Sequence, residues 1–168
     1  MAVSQNGTIK LSIDSALTNS LDLSSVIDTL SRNQRNDFAT GTGANQANQV
    51  FHDQRTLTSS ATENLDLAAS LVNAFGSTIT FTKVKAVFFY AASANTNSVQ
   101  VTREGTNGVP IFMAAGDGIA LTPGAWVCAC WPDATGVAVT AATGDLLTIT
   151  NSAGSTSVTY DVIIIGIG

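Results

Sequence analysis

The sequence predicts an all-β protein: an antiparallel β-sandwich or jelly-roll-like domain, preceded by an extended N-terminal arm that carries a short helix. Short β-branched and aromatic runs recur through the C-terminal half of the chain. Gly, Asn, Ser, Pro and Asp separate these runs and mark turns. Residue types that serve catalysis are scarce, with one histidine in 168 residues. We therefore divide the chain into an arm with a polar linker, residues 1–50, and a β-sandwich domain, residues 51–168.

Nine segments of the predicted domain have the composition of strands. The first two are a predicted edge strand at 51–58 and a second strand at 61–67. The other seven follow at the spacing expected of a sandwich or jelly roll, and they cover residues 77–82, 84–90, 98–102, 125–130, 136–140, 146–150 and 157–165.

The arm contains two predicted elements before its polar part. Residues 8–13 alternate in character and predict a strand. Residues 20–30 predict a short helix, because Leu23, Val26, Ile27 and Leu30 follow helical spacing and Ser20 or Asp22 could cap it. Residues 31–50 are polar and contain glycine, so they cannot form a core alone. We expect them to be extended and draped over a neighbouring subunit.

Two apolar segments need cover on both sides. The C-terminal run 160–168 would promote aggregation at an exposed edge, so it should lie centrally in a sheet or in a subunit interface. Residues 88–90 place aromatic rings on both faces of their strand. A partner or the arm should cover the second face.

Composition argues against several classes of partner. Charged residues make up 11% of the chain, against roughly 25% in ordinary soluble domains. The net charge is −5, and the seven lysines and arginines are scattered, which disfavours binding to nucleic acid. The N-terminus does not resemble a secretory signal peptide, and the longest apolar run is too short to cross a bilayer as a helix. The sequence therefore predicts assembly in a cytosol and no membrane partner.

The candidate chemical motifs are weak. His52 and Asp53 are adjacent, so on a strand they point to opposite faces and cannot form a catalytic pair. Gly41 and Gly43 lack the remaining residues of a phosphate-binding loop. Cys128 and Cys130 lack a second ligand pair for zinc and predict two small buried apolar side chains. We expect no catalytic, cofactor-binding or metal-binding residues, no cofactor and no enzymatic activity.

Residues 57–76 and 79–90 resemble a pattern found in small structural proteins of tailed bacteriophages. The matching parts are a Leu-Asp-Leu segment at 65–67, a Phe-Gly turn at 75–76 and a Val-Lys-Ala-Val strand at 84–87. An Asn-rich turn, a Val-x-Val strand and the apolar ending 161–166 follow. The resemblance spans about residues 50–168. It implies a virion protein, such as a capsid decoration (cement) protein or another minor head or tail component, and it transfers no functional residue.

This reading predicts how the protein functions and which partners it has. We expect a homo-oligomer, most simply a trimer, that stabilises the phage head by bridging capsomers and contacts the major capsid protein through its arm. The predicted partner-binding residues are Arg32, Arg35, Phe38, Phe51, Arg55 and Trp131, the arginines as ion-pair donors to a neighbouring subunit. The alternatives are a receptor- or carbohydrate-binding module of a phage fibre, with Trp131 as the candidate platform, and a tail tube or connector subunit.

Overall fold

The structure, a computed structural model, describes residues 4–168, and within that range it contains strands and no helix. Twelve strands follow one another along the chain: β1 (Gly7–Ser20), β2 (Ser25–Thr40), β3 (Gln46–Ala47), β4 (Gln49–Leu57), β5 (Thr62–Asp66), β6 (Lys83–Ala91), β7 (Val99–Arg103), β8 (Gly118–Leu121), β9 (Trp126–Cys130), β10 (Val137–Ala138), β11 (Leu146–Asn151) and β12 (Val158–Ile167).

The strands form three sheets, and all strand pairs but one are antiparallel. The first sheet has the order β1-β2-β3, and its short β2–β3 pairing is parallel. The second has the order β10-β6-β12-β4, with β9 also pairing with β6. The third has the order β5-β11-β7-β8. The all-β prediction is therefore confirmed.

One hydrophobic core joins the second and third sheets. Alternate side chains of β12, including Tyr160, Val162 and Ile164, are buried, as a two-residue strand period requires. They share this core with Leu147 and Ile149 of β11 in the other sheet. Strand β12 lies between β4 and β6, so the predicted central position of the apolar C-terminal run is confirmed.

The predicted helix at 20–30 is wrong. Residues Leu21–Ser24 form a turn, closed by a hydrogen bond from the Leu21 N–H to the Ser24 carbonyl, and β2 begins at Ser25. Strand β2 pairs with β1 residue by residue, from Ser20 opposite Ser25 to Gly7 opposite Phe38. This long-range ladder overrides the weak helical spacing, and Val26, Ile27 and Thr29 are β-branched residues that suit a strand.

The polar segment is extended in its first half, and one expected strand is wrong. Residues up to Thr40 continue β2, so the first half of the segment 31–50 is an extended strand. Residues 77–82 form no regular strand, and only Thr78 makes an isolated bridge, with Val72. Their N–H groups instead bond singly to separate carbonyls: Ile79 to Leu71, Phe81 to Leu67 and Thr82 to Ile167. The sequence does not predict strand β8, because its four residues show no alternation. Three of the four are exposed in the structure.

Candidate functional site

A two-stranded hairpin arm, formed by β1 and β2 (residues 7–40), is the most distinctive feature of the molecule. At about 3.3 Å per residue, the 14 residues of β1 extend roughly 46 Å. Within residues 4–168, hairpin residues 12–33 are exposed throughout, so the hairpin meets the body only at its base. An isolated two-stranded ribbon is marginally stable in water. The arm is therefore built in a way that favours cover by another surface.

One face of the arm is polar. Residues paired across an antiparallel ladder point to the same side, and this face carries Asp14 and Asp37. Asp14 accepts hydrogen bonds from Ser12 (2.9 Å) and Ser31 (2.7 Å). Asp37 accepts one from Thr8 (2.6 Å) and forms an ion pair with Arg35 (2.7 Å). These bonds lower the pKa of both carboxyl groups. The bonds from Ser31 and Thr8 also run between the two strands.

The opposite face, here called the apolar arm face, carries six aliphatic side chains. Their register partners place them on one side of the ribbon: Ile9, Leu11, Ile13, Leu17, Val26 and Leu30. Near the base this face covers the body, where Ile9 packs against the small cluster of Phe38, Ala47 and Ala86. Further out this face is exposed, and Leu17 is 72% exposed. At the tip, Leu23 is fully exposed.

A cleft lies between the base of the arm and the outer face of the second sheet. Its volume is about 590 Å³, and its lining is mostly apolar. The arm contributes Ile9 and Leu11, and the sheet contributes Phe88, Trp126 and Ile163. Trp126 is 54% exposed, and its ring centroid lies 6.3 Å from that of Phe88. The arm thus partly covers the second face of β6, the strand whose aromatic residues 88–90 lie on both faces.

The two cysteines line this cleft. The prediction that they are small buried apolar side chains is therefore wrong. Cys128 is exposed and Cys130 is half-buried, both as free thiols on the outer face of β9. The Asn36 side-chain amide of the arm donates a hydrogen bond to the Cys130 sulfur at 3.3 Å. Partial burial raises the pKa of both thiols, which disfavours the reactive thiolate. Sequence placed the pair correctly on one face but could not say which face meets solvent.

The arm is attached to the body through the turn that follows β2. The Asn45 N–H donates to the Pro132 carbonyl at 2.7 Å. Lys85 is the extra residue of a β-bulge, since Ala86 and Val84 of β6 pair with consecutive residues of β12. Its fully buried amino group donates to the Asp133 carbonyl and to the Gly43 carbonyl. Burial lowers the pKa of Lys85. These contacts fix the direction in which the arm leaves the body.

The structure places the predicted arm residues in two environments. Arg32 is exposed on the apolar arm face, opposite Ile13. Arg35 is exposed on the polar face and pairs with Asp37 of its own chain. Phe38 is buried beneath the base of the arm. Of these three side chains, Arg32 is the one that presents both an unpaired charge and an open surface.

The other three predicted residues lie in the body. Phe51 is buried in the main core. Arg55 stacks over the Phe51 ring and forms ion pairs within its own chain, with Asp53 at 3.0 Å and Glu63 at 2.6 Å. Trp131 is half-buried against the main core, so Trp126 is the more exposed indole.

Sequence reasoning missed the distal aliphatic residues of the apolar arm face, Leu17, Val26 and Leu30. Alternation is visible at Ile9, Leu11 and Ile13, but Ser15 interrupts it before Leu17. On the second strand, Val26 and Leu30 also fit a helical period, which misdirected the prediction. The cross-strand register alone shows that the two sets share one face.

Residues 4–168 contain no cluster of three or more His, Cys, Asp or Glu side chains suited to holding a metal ion. The same part of the chain includes no helix that could cross a bilayer. Comparison of the sequence and fold with protein-family models, curated proteins and solved structures found no match.

Proposed function

We propose that this chain is a non-enzymatic structural protein that assembles through its hairpin arm, and that its place is the phage particle. The observation that carries the proposal is the apolar arm face, which extends well beyond the body with its aliphatic side chains exposed. Contiguous exposed apolar surface in a protein marks an interaction site. A ribbon of this length is suited to bridging two neighbouring molecules.

The more specific role we propose is that of a capsid decoration protein, assembled in the host cytoplasm, that contacts the major capsid protein and further copies of itself. The sequence resemblance to phage structural proteins supports this role. So does the low content of charged residues, which keeps the desolvation cost of packing against neighbours small. Two sheets around one core are compatible with a jelly-roll-like sandwich, an architecture shared by capsid and lectin domains.

Shortening the arm tests the proposal. Leu11 and Gln34 are direct partners in the ladder, so residues 12–33 can be replaced by Asn-Gly, which forms a tight two-residue hairpin turn. We expect this variant to fold, as judged by circular dichroism, but to bind poorly to capsids assembled from the co-encoded major capsid protein. Met113→Ser, which alters an exposed apolar residue on the body, is the control. Full capsid occupancy by the shortened protein would contradict the proposal.

Carbohydrate binding is a second candidate, favoured by the exposure of Trp126 beside Phe88. An exposed indole at the mouth of an apolar cleft can stack on a sugar ring. Titration with host-surface oligosaccharides should then change the tryptophan fluorescence of the parent but not of Trp126→Ala. An unchanged spectrum at saturating oligosaccharide would rule this candidate out.

A further inference from the structure

We propose that the occupant of the apolar arm face is the same face of a second copy, packed about a two-fold axis that passes near Ser15 and Leu30. This inference names the partner of the assembly surface described above, and it rests on the assembly role proposed there. It follows from the order of side chains in the three central rows of the face, which are complementary to their own reverse.

The order of side chains can be stated row by row, each row being one cross-strand pair. Counting outward from the base, the rows of this face are Leu11 with Gln34, Ile13 with Arg32, Ser15 with Leu30, Leu17 with Asp28, and Asn19 with Val26. The row of Ser15 and Leu30 lies in the middle.

We place the two-fold axis between two facing arms, parallel to this row. Strand β1 of one arm then packs antiparallel on β1 of the other, and β2 packs antiparallel on β2. Ile13 of one arm then faces Leu17 of the other, and Leu30 faces Leu30. The only charged side chains of these five rows also meet, because Arg32 faces Asp28 of the second copy. Isologous contacts of this kind are the commonest in soluble homo-oligomers.

Among residues 4–168 of one chain, the two charges have no such partner. Arg32 and Asp28 lie four residues apart on β2, which separates them by about 13 Å. Their cross-strand neighbours are the aliphatic residues Ile13 and Leu17. Neither belongs to the three ion pairs found within residues 4–168, which are Arg35–Asp37, Arg55–Asp53 and Arg55–Glu63. An Arg32–Asp28 pair would therefore form only between molecules.

The length of the arm suits the same arrangement. Stacking about this row places the tip residue Leu21 of each copy at the level of Ile9 of the other. Ile9 lines the cleft at the base of the arm. The exposed leucines Leu21 and Leu23 would thus reach the mouth of an apolar cleft that one chain leaves open.

The expected interface is small. Two such ribbon faces would bury on the order of 1,000 Å² in total, which is near the lower limit for a specific interface. We therefore expect reversible pairing with a Kd of roughly micromolar. If the bodies form the trimer expected from the sequence, two trimers joined by their arms would give a hexamer.

Two serine substitutions, one on each face of the arm, test the apolar contact. Leu30 and Ile27 lie three residues apart on β2 and are equally exposed at 57%, but Ile27 belongs to the polar face. In sedimentation velocity over about 1 to 200 µM, the parent should form an even-numbered species that dissociates on dilution. Leu30→Ser should halve its mass, and Ile27→Ser should leave it unchanged.

Charge exchange tests the orientation. Asp28→Arg or Arg32→Asp alone should weaken pairing by about tenfold or more, because like charges then face each other. The double variant restores opposite charges across the axis and should return the Kd to within about threefold of the parent. Thr29→Arg, adjacent in sequence but on the polar face, is the control and should have no effect.

The outcomes separate the inference from the proposed function. A monomer at all concentrations, equal behaviour of Leu30→Ser and Ile27→Ser, or failure of the double variant to recover would each overturn the two-fold pairing. Capsid binding is scored independently in the shortened-arm experiment. A protein that pairs as described but never occupies a capsid would therefore refute the decoration role and leave the pairing intact.

Discussion

At the residue scale, the best example of a polar group satisfied inside this fold is Tyr160. Its ring is fully buried in the core, and its hydroxyl donates a hydrogen bond to Glu63 Oε1 at 2.8 Å. The other oxygen of Glu63 binds Arg55. Burial, followed by the nearby carboxylate, raises the pKa of Tyr160 well above its usual value, so the hydroxyl remains a donor. The three side chains link β12, β5 and β4 across the two sheets.

Tyr160→Phe should lower the free energy of unfolding by about 1 to 2 kcal/mol, because the Glu63 oxygen loses its donor in a partly buried site. Urea denaturation at neutral pH measures the change. Tyr90→Phe is a suitable control, since the Tyr90 hydroxyl only accepts a long 3.3 Å bond from the Ser93 N–H. Equal effects of the two substitutions would show that the buried hydrogen bond adds nothing.

Gly166 is a second residue whose identity the packing determines. It lies at the irregular step between β12 and β6, where an added Cβ would collide with the Lys83 carbonyl and the Phe81 ring. Gly166→Ala should cost about 1 to 3 kcal/mol of stability, as expected for overpacking. Gly105→Ala introduces the same methyl group into open space and should change stability by less than about 0.5 kcal/mol. Thermal unfolding of both variants provides the comparison.

At the scale of the element, the arm owes its order to polar contacts on one face rather than to a core of its own. Two side-chain hydrogen bonds, from Thr8 to Asp37 and from Ser31 to Asp14, tie β1 to β2, and Arg35 holds the Asp37 carboxylate from within β2. The distal apolar side chains contribute little while they face water. The structure therefore separates the two tasks by face: the polar face stabilises the ribbon, and the apolar face is available for binding.

Acid should loosen the arm before it unfolds the body. The folded pKa values of Asp14 and Asp37 lie below the reference value of 3.8, so their stabilisation is fully present above pH 3.8 and is lost as the pH falls through the lower folded values. Amide protection factors for residues 10–33, measured from about pH 5 to about pH 2.5, should fall more than those of β12. In the Asp14→Asn, Asp37→Asn double variant, this extra fall should disappear. Uniform protection across the pH range would contradict the prediction.

At the scale of the whole molecule, stability depends on the last strand of the chain. Strand β12 supplies the ladder for both β4 and β6, and it contributes Tyr160, Val162 and Ile164 to the core. Without it the second sheet splits in two. The order of the strands thus makes the final residues essential, although chain ends are usually tolerant of change.

Deletion of residues 160–168 should abolish soluble folding, which is checked by expression, circular dichroism and sedimentation. Each core side chain removed stabilises the fold by roughly 1.5 to 3 kcal/mol, and several are lost at once. Removal of Gly168 alone breaks two exposed hydrogen bonds with the Asn48 side chain and should be tolerated. A soluble, cooperatively unfolding chain that ends at Thr159 would contradict this prediction.

The sequence by itself determined the features that depend on local pattern. Alternation of β-branched and aromatic residues identified strands β4 to β7 and β9 to β12. The apolar run of β12 indicated that it lies centrally in a sheet or in a subunit interface. These predictions hold because side-chain period and turn chemistry act within a few residues.

Only the tertiary structure decided which surfaces meet. Residues 20–30 carry a pattern compatible with helix or strand, and the choice depends on pairing with β1. Leu17 and Leu30 lie on one face because of the register between β1 and β2. The exposure of Cys128 and Trp126 depends on how the arm lies over the second sheet. Such contacts join residues distant along the chain, and no local pattern encodes them.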